Sequence, residues 1–259
     1  MYKALNVDIF RKNLGLPADY TLDGLLVTGV FDLWGEELHL PHVVNYLNDN
    51  GYKYEISKFI QKDIGHAHEL KLDNKVIWFV PVMGTAIMSL YAHVASLLGS
   101  RKNILIGTVG GLCSDVNPGD LIFPTKVIGN DSALMYQPEK TDKIFFPDNA
   151  LTERLVAKVP KTSKVFKGTT ITCETLLAET WDDVLNWSKQ GFLGVEMEAA
   201  MIFALSAFFK VPSAAILTVG DNLIREETMF HENHEKQKEV RLAARKLQYQ
   251  LALAELLAE

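Results

Sequence analysis

Short apolar runs bounded by turn residues recur along this chain, and helical spacing follows most of them. The runs 25–28, 76–82, 104–111 and 213–219 show no alternation of apolar and polar positions, which predicts strands covered on both faces. Residues 164–173 and the stretch after Asn117-Pro118-Gly119 predict two more strands, and 52–61 predicts an edge strand. Residues 62–75 read as a loop or hairpin turn, with His66 and His68 as solvated loop residues, and 130–148 reads as a loop. From Ala199 to Phe209 almost every residue is apolar, so a helix there is hydrophobic all round and belongs to the core. Further helices are predicted from residue 85 through Leu98, where Gly99 stops the turn, over 149–157, ahead of Gly191, and from about 235 to 257. A short helix and a turn occupy 1–24, and a helix broken by Gly35 and Pro41 follows Gly29. Strands alternating with helices predict one α/β domain over 1–259, its mixed, largely parallel central sheet flanked by helices.

The candidate chemistry gathers at 194–222. Glu196, Met197 and Glu198 lead into the apolar helix, and the strand that follows it delivers Gly220 and Asp221 at its carboxyl end. Ligands of open α/β sheets bind at that edge, so the three carboxylates form a polar pocket floor. Two of them have a plainer reading. Asp221 in Gly-Asp-Asn also fits a turn or helix cap, and Glu196 before a helix is favoured by the macrodipole alone. Gly29, at the end of the first strand, permits close approach of a ligand or simply a tight turn. The glycine-rich segment ending at Gly111 turns small residues and the Thr108 hydroxyl towards a polar ligand.

Composition narrows the field. A net charge of −6 argues against a generic nucleic-acid binder, which needs clustered positive charge. Cys113 and Cys173 stand apart from each other, so neither a disulfide framework nor a structural metal site is expected. No apolar segment reaches membrane-spanning length, and a cytoplasmic enzyme with no cofactor is the expectation.

Residues 194–222, with 76–99 and 103–125, resemble the nucleoside phosphorylase and nucleosidase superfamily. The resemblance implies a nucleoside phosphorylase-like domain that cleaves an N-glycosidic bond, with water or phosphate as co-substrate, in a homo-oligomer. Glu198 would hold the ribose, with Met197 and Met83 packed against it, and Asp221 would assist the departing base. Thr172, Cys173 and Glu196 fall where relatives contact the base, and Gly29, Thr108 and Asp32 where they hold phosphate or water. The family's two phosphate-binding arginines are missing: Val30, Phe31, Asp32 and Leu33 follow the first glycine, and Leu105 stands at the second position. Water is therefore the expected acceptor, with Asp32, Glu36 or Glu37 as its base, although all three also read as exposed helix carboxylates. Lys62, His66, Arg225 and His234 are further candidates for completing a site. A noncatalytic nucleoside-binding protein is the remaining alternative.

Overall fold

The computed structural model describes residues 6–30, 35–58, 67–232 and 236–258. Its strands are β1 (Gly24–Gly29), β2 (Tyr54–Lys58), β3 (His68–Leu72), β4 (Lys75–Val82), β5 (Asn103–Gly111), β6 (Leu121–Ile128), β7 (Ile144–Phe145), β8 (Val165–Thr172), β9 (Gly194–Glu196) and β10 (Ser213–Asn222). The helices are α1 (Val7–Leu14), α2 (Gly35–Asp49), α3 (Thr85–Leu97), α4 (Asp131–Leu134), α5 (Asn149–Ala157), α6 (Trp181–Lys189), α7 (Ala199–Phe209) and α8 (Lys238–Leu257).

Because successive strand side chains point to opposite faces, the unbroken apolar runs build two cores at once. Leu25, Val27, Trp78, Val80, Leu105, Ala215 and Leu217 pack on one face against α3 and α7. Their neighbours Leu26, Ile77, Phe79, Ile104, Ile106, Ala214 and Ile216 pack on the other against α2, α5 and α8. Helix α7 spans the predicted residues, buries Ala199 through Ser206 and ends at Lys210 in the left-handed region (φ 56°).

Parallel pairings join β4 to β1, β1 to β5 and β5 to β10. Beyond them the sheet turns back on itself. Strand β10 pairs antiparallel with β6, β6 and β9 each pair parallel with β8, and β9 returns antiparallel to β5. This closed circuit removes free edges from one end of the sheet. At the other end β3 and β2 add antiparallel strands, with β2 the edge strand expected over 52–61.

Three expectations need correction. Residues 68–72 form β3, so His68 is buried (3% exposed) against Phe79 rather than solvated in a loop. Pro41 does not break α2. The lost helix bond costs about 3 kcal/mol, and burial of Val43 and Leu47 in the core offsets it. Residues 130–148 contain α4 and β7. No helix among the described residues is long and apolar enough to cross a membrane.

Closure of the circuit depends on Gly194. A Cβ there would lie 2.4 Å from Val109 Cγ2 and 2.9 Å from the Gly110 carbonyl oxygen. Gly194→Ala is expected to cost about 1–3 kcal/mol, read as a lower urea midpoint; an unchanged midpoint would show that β9 is not held this tightly.

Candidate functional site

Strands β1, β5 and β10 run side by side and parallel, so their carboxyl ends share one edge. Gly29, Thr108 and Asp221 meet there around a cavity of about 330 Å³, joined by Met83 at the end of β4 and by Glu196, Met197 and Glu198 ahead of α7. Four predicted residues far apart in sequence, Gly29, Met83, Thr108 and Asp221, are thus brought together with the Glu-Met-Glu segment.

A bulge aims Asp221. The β10 register against β5 shifts between Val219 and Asp221, and an extra residue of this kind re-aims the side chain that follows. Gly220 makes the shift possible, since a Cβ there would lie 2.4 Å from Thr108 Cγ2. The capping role open to Asp221 falls to its neighbour. Asn222 accepts the Arg225 N–H at 3.2 Å and donates to the Cys113 and Val116 carbonyls at 2.9 and 2.8 Å. Asp221 is left facing the cavity, where burial pushes its carboxyl up to about 6, against the opposing effects of the Met229 N–H and the Arg241 charge.

The two glutamates divide their work. One Glu196 oxygen accepts the N–H groups of Glu198 (2.7 Å) and Ala199 (2.6 Å), while the other accepts the Thr172 hydroxyl. Thr172 in turn accepts the Ala200 N–H at 3.0 Å. Glu196 and Thr172 therefore bind the orphan donors at the start of α7. Glu198 instead accepts the Gly84 N–H at 2.6 Å, and a Cβ on Gly29 would stand 3.0 Å from its second oxygen. Glycine at 29 is what lets the carboxylate lie against β1. Burial, then the charge of Glu196, pushes Glu198 up to about 8.

Other predicted residues lie elsewhere. Cys173 does not line the cavity; its side chain packs beside Leu112, Val184 and Val195. Arg225 reaches the Asn117 side chain at 3.0 Å and pairs with Glu227 at 3.2 Å, away from the cavity. Asp32, Lys62, His66 and His234 lie outside the described residues, as do the side chains of Glu36 and Glu37.

The cavity also holds side chains that the sequence reading did not single out: His39, Glu179, Thr218, Arg241, Arg245 and Gln248. Glu179 has one buried oxygen with no hydrogen-bond partner. Burial raises its pKa, and the nearby Asp221 charge adds to the rise, while a hydrogen bond from the Cys173 thiol opposes it. It stands just before the α6 capping box of Thr180 and Asp183. The arginines and Gln248 recur four and three residues apart on α8, a spacing that puts them on one helix face. Among the described residues no cluster of His, Cys, Asp and Glu could hold a metal ion.

The phosphorylase superfamily model matches residues 39–256. The chain is 31% identical over 172 residues to the DeoD-type purine nucleoside phosphorylase of Thermoanaerobacter sp. (strain X514), covering 61% of this chain and 70% of that protein. The DeoD-type enzyme of Latilactobacillus sakei subsp. sakei is 29% identical over 157 residues, covering 60% and 67%. The solved uridine phosphorylase of Vibrio fischeri ES114 superposes with a TM-score of 0.71 over 95% of this chain and 96% of its own, at 14% identity. The 5'-methylthioadenosine/S-adenosyl homocysteine nucleosidase of Campylobacter jejuni gives 0.70 over 90% and 98%, at 15% identity. At such identities these two structures speak for the fold. With most of its length matched by the family model, the chain belongs to the phosphorylase superfamily.

Proposed function

We propose that the cavity cleaves the N-glycosidic bond of a nucleoside. The observation that carries this reading is the pairing of Glu198 and Asp221 in one cavity, each with a carboxyl raised towards or past neutrality by burial. Breaking the bond requires support for a ribosyl group that becomes cationic and a proton for the departing base. Asp221, at about 6, keeps part of its proton near neutral pH and serves as the general acid to a ring nitrogen. Glu198 receives the sugar hydroxyls; their hydrogen bonds favour its charged form, so the sugar itself draws a carboxylate towards the developing positive charge. Met83 and Met197 pack against the sugar. Glu179, beside Asp221 with an oxygen unsatisfied, takes a donor group on the base, which is the role the sequence assigned to Thr172, Cys173 and Glu196.

The expectation of water as acceptor rested on two missing arginines. Arg241 and Arg245 now stand in the cavity wall, so that argument loses weight and phosphate becomes an acceptor of equal standing.

The test is chromatography of free base after incubation with purine and pyrimidine nucleosides, with and without phosphate. Asp221→Asn should lower kcat about 10²–10⁴-fold, and Glu179→Ala should raise KM or change the base preference. Parental rates in Asp221→Asn would remove the assignment.

The raised carboxyls also predict a pH signature. The folded state holds the Glu198 proton to about 8, whereas an unfolded glutamate loses it near 4.3. Stability is therefore lost as the pH rises between those values. The Tm advantage of Glu198→Gln over the parent should widen from about pH 5 to 8, and that of Asp221→Asn should stop widening near 6. A constant offset across this range would contradict the burial account.

A further inference from the structure

Beside Asp221 the cavity holds an acceptor that the protein itself does not satisfy. Glu179 follows the single helical turn Leu176–Ala178 and lines the cavity together with Leu176 of that turn. Its Oε1 is buried and has no hydrogen-bond partner among the described residues. Buried polar atoms are nearly always satisfied, so an open acceptor on a cavity wall points to a donor on the ligand. The charged groups near Glu179 are both acids, Asp221 and Asp183, while the Arg241 charge falls on Asp221 instead. A neutral N–H of the ligand is the group that fits the open oxygen.

Cys173 supports the carboxylate. Its thiol lies outside the cavity and donates to Glu179, which favours the charged form over the protonated one. An N–H from a ligand adds to the same preference. Two neighbouring acids resist double ionisation, so the proton of the pair stays on Asp221, where burial already favours it. Asp221 thus presents a donor and Glu179 an acceptor. A purine displays N7 and its 6-substituent along one edge, and that edge differs among the bases. Adenine offers an acceptor at N7 and a donor at the 6-amino group, whereas a 6-oxopurine offers acceptors at both places. A donor beside an acceptor matches the first pattern and opposes the second. Leu176, Val195 and Leu223 line the same cavity and suit the apolar faces of a flat ring.

We infer that Glu179 is a specificity-determining residue, selecting 6-aminopurine nucleosides over their 6-oxo counterparts by accepting an N–H of the 6-amino group. This selection rests on the nucleoside reading of the cavity and adds the class of base to it. With a 6-oxopurine, the carbonyl oxygen faces the Glu179 oxygen and neither carries a hydrogen for the other. Glu179 does not touch the bond that breaks. Its contact is made in the bound substrate and the transition state alike, so its loss falls on KM more than on kcat.

The experiment measures kcat/KM for adenosine, inosine and purine riboside, the last with hydrogen at C6, each with and without phosphate. The variants are Glu179→Gln, Glu179→Ala and Asp182→Asn, all checked for native circular dichroism; Asp182, exposed in the first turn of α6, is the charge control. The parent should favour adenosine over inosine about ten- to hundredfold, with purine riboside between them. Glu179→Gln keeps the shape and can turn its amide N–H to a carbonyl, so the ratio should fall to about threefold or less. Glu179→Ala should lose more on adenosine than on purine riboside, and Asp182→Asn should keep the parental ratio. Free bases separate selection from cleavage. By isothermal titration the parent should bind adenine at least about tenfold tighter than hypoxanthine, and Glu179→Gln should remove the difference. That result, with no base released from any nucleoside, would keep the selection and remove the cleavage reading. Inosine cleaved as well as adenosine or better, or a preference untouched in Glu179→Gln, would overturn the selection and leave cleavage standing. Adenine and hypoxanthine bound alike, binding of neither, or release confined to pyrimidine nucleosides would overturn it as well.

Discussion

Glu196 accepts two backbone N–H groups at the start of α7 on a single oxygen, and the arrangement of the cavity depends on that contact. A helix as apolar as α7 buries its first turn, where unpaired donors cost about 1–3 kcal/mol each. One glutamate meets that need, with Thr172 as its partner. Glu198, two residues on, is thereby released from capping, and the Gly84 N–H holds it against Gly29. Two like charges so close cannot both be ionised cheaply in a dry site. Burial and the neighbouring acid together leave Glu198 a proton that a sugar can displace.

The opposite wall rests on a different constraint. Strand β10 must pair with β5 along one side, take a bulge, and still present Asp221 inward. Gly220 permits the bulge because Thr108 occupies the space a side chain would need. Asn222 then anchors the chain to the 113–116 loop, so the strand end is held from both sides of Asp221. Sugar-facing and base-facing carboxylates thus come from elements fixed by separate packing, and neither depends on the other for its position.

Much of this was legible in the sequence because it rests on local pattern. Unbroken apolar runs showed two-faced strands, and the all-apolar 199–209 stretch showed the core helix at its observed bounds. The Glu-Met-Glu segment and Asp221 followed from their places at element ends. What escaped depends on long-range geometry. Glu179 belongs to a helix-capping neighbourhood, and only the fold turns it towards Asp221. Arg241 and Arg245 are ordinary amphipathic-helix residues by spacing; the buried Gln248, out of place on an apolar face, was the one local sign that this face meets something polar. Pro41 misled because propensity was weighed without the packing of Val43 and Leu47, and His68 because its loop setting concealed a strand pairing with β4.

The central claim is that Asp221 supplies a proton to a departing base while Glu198 supports the sugar. A riboside whose leaving group is p-nitrophenolate needs no such proton yet still needs the sugar contacts. We expect Asp221→Asn to lose about 10²–10⁴-fold on nucleosides and to retain most of the parental rate on the nitrophenyl riboside, while Glu198→Gln loses on both. An equal loss of Asp221→Asn on the two substrates would contradict the account.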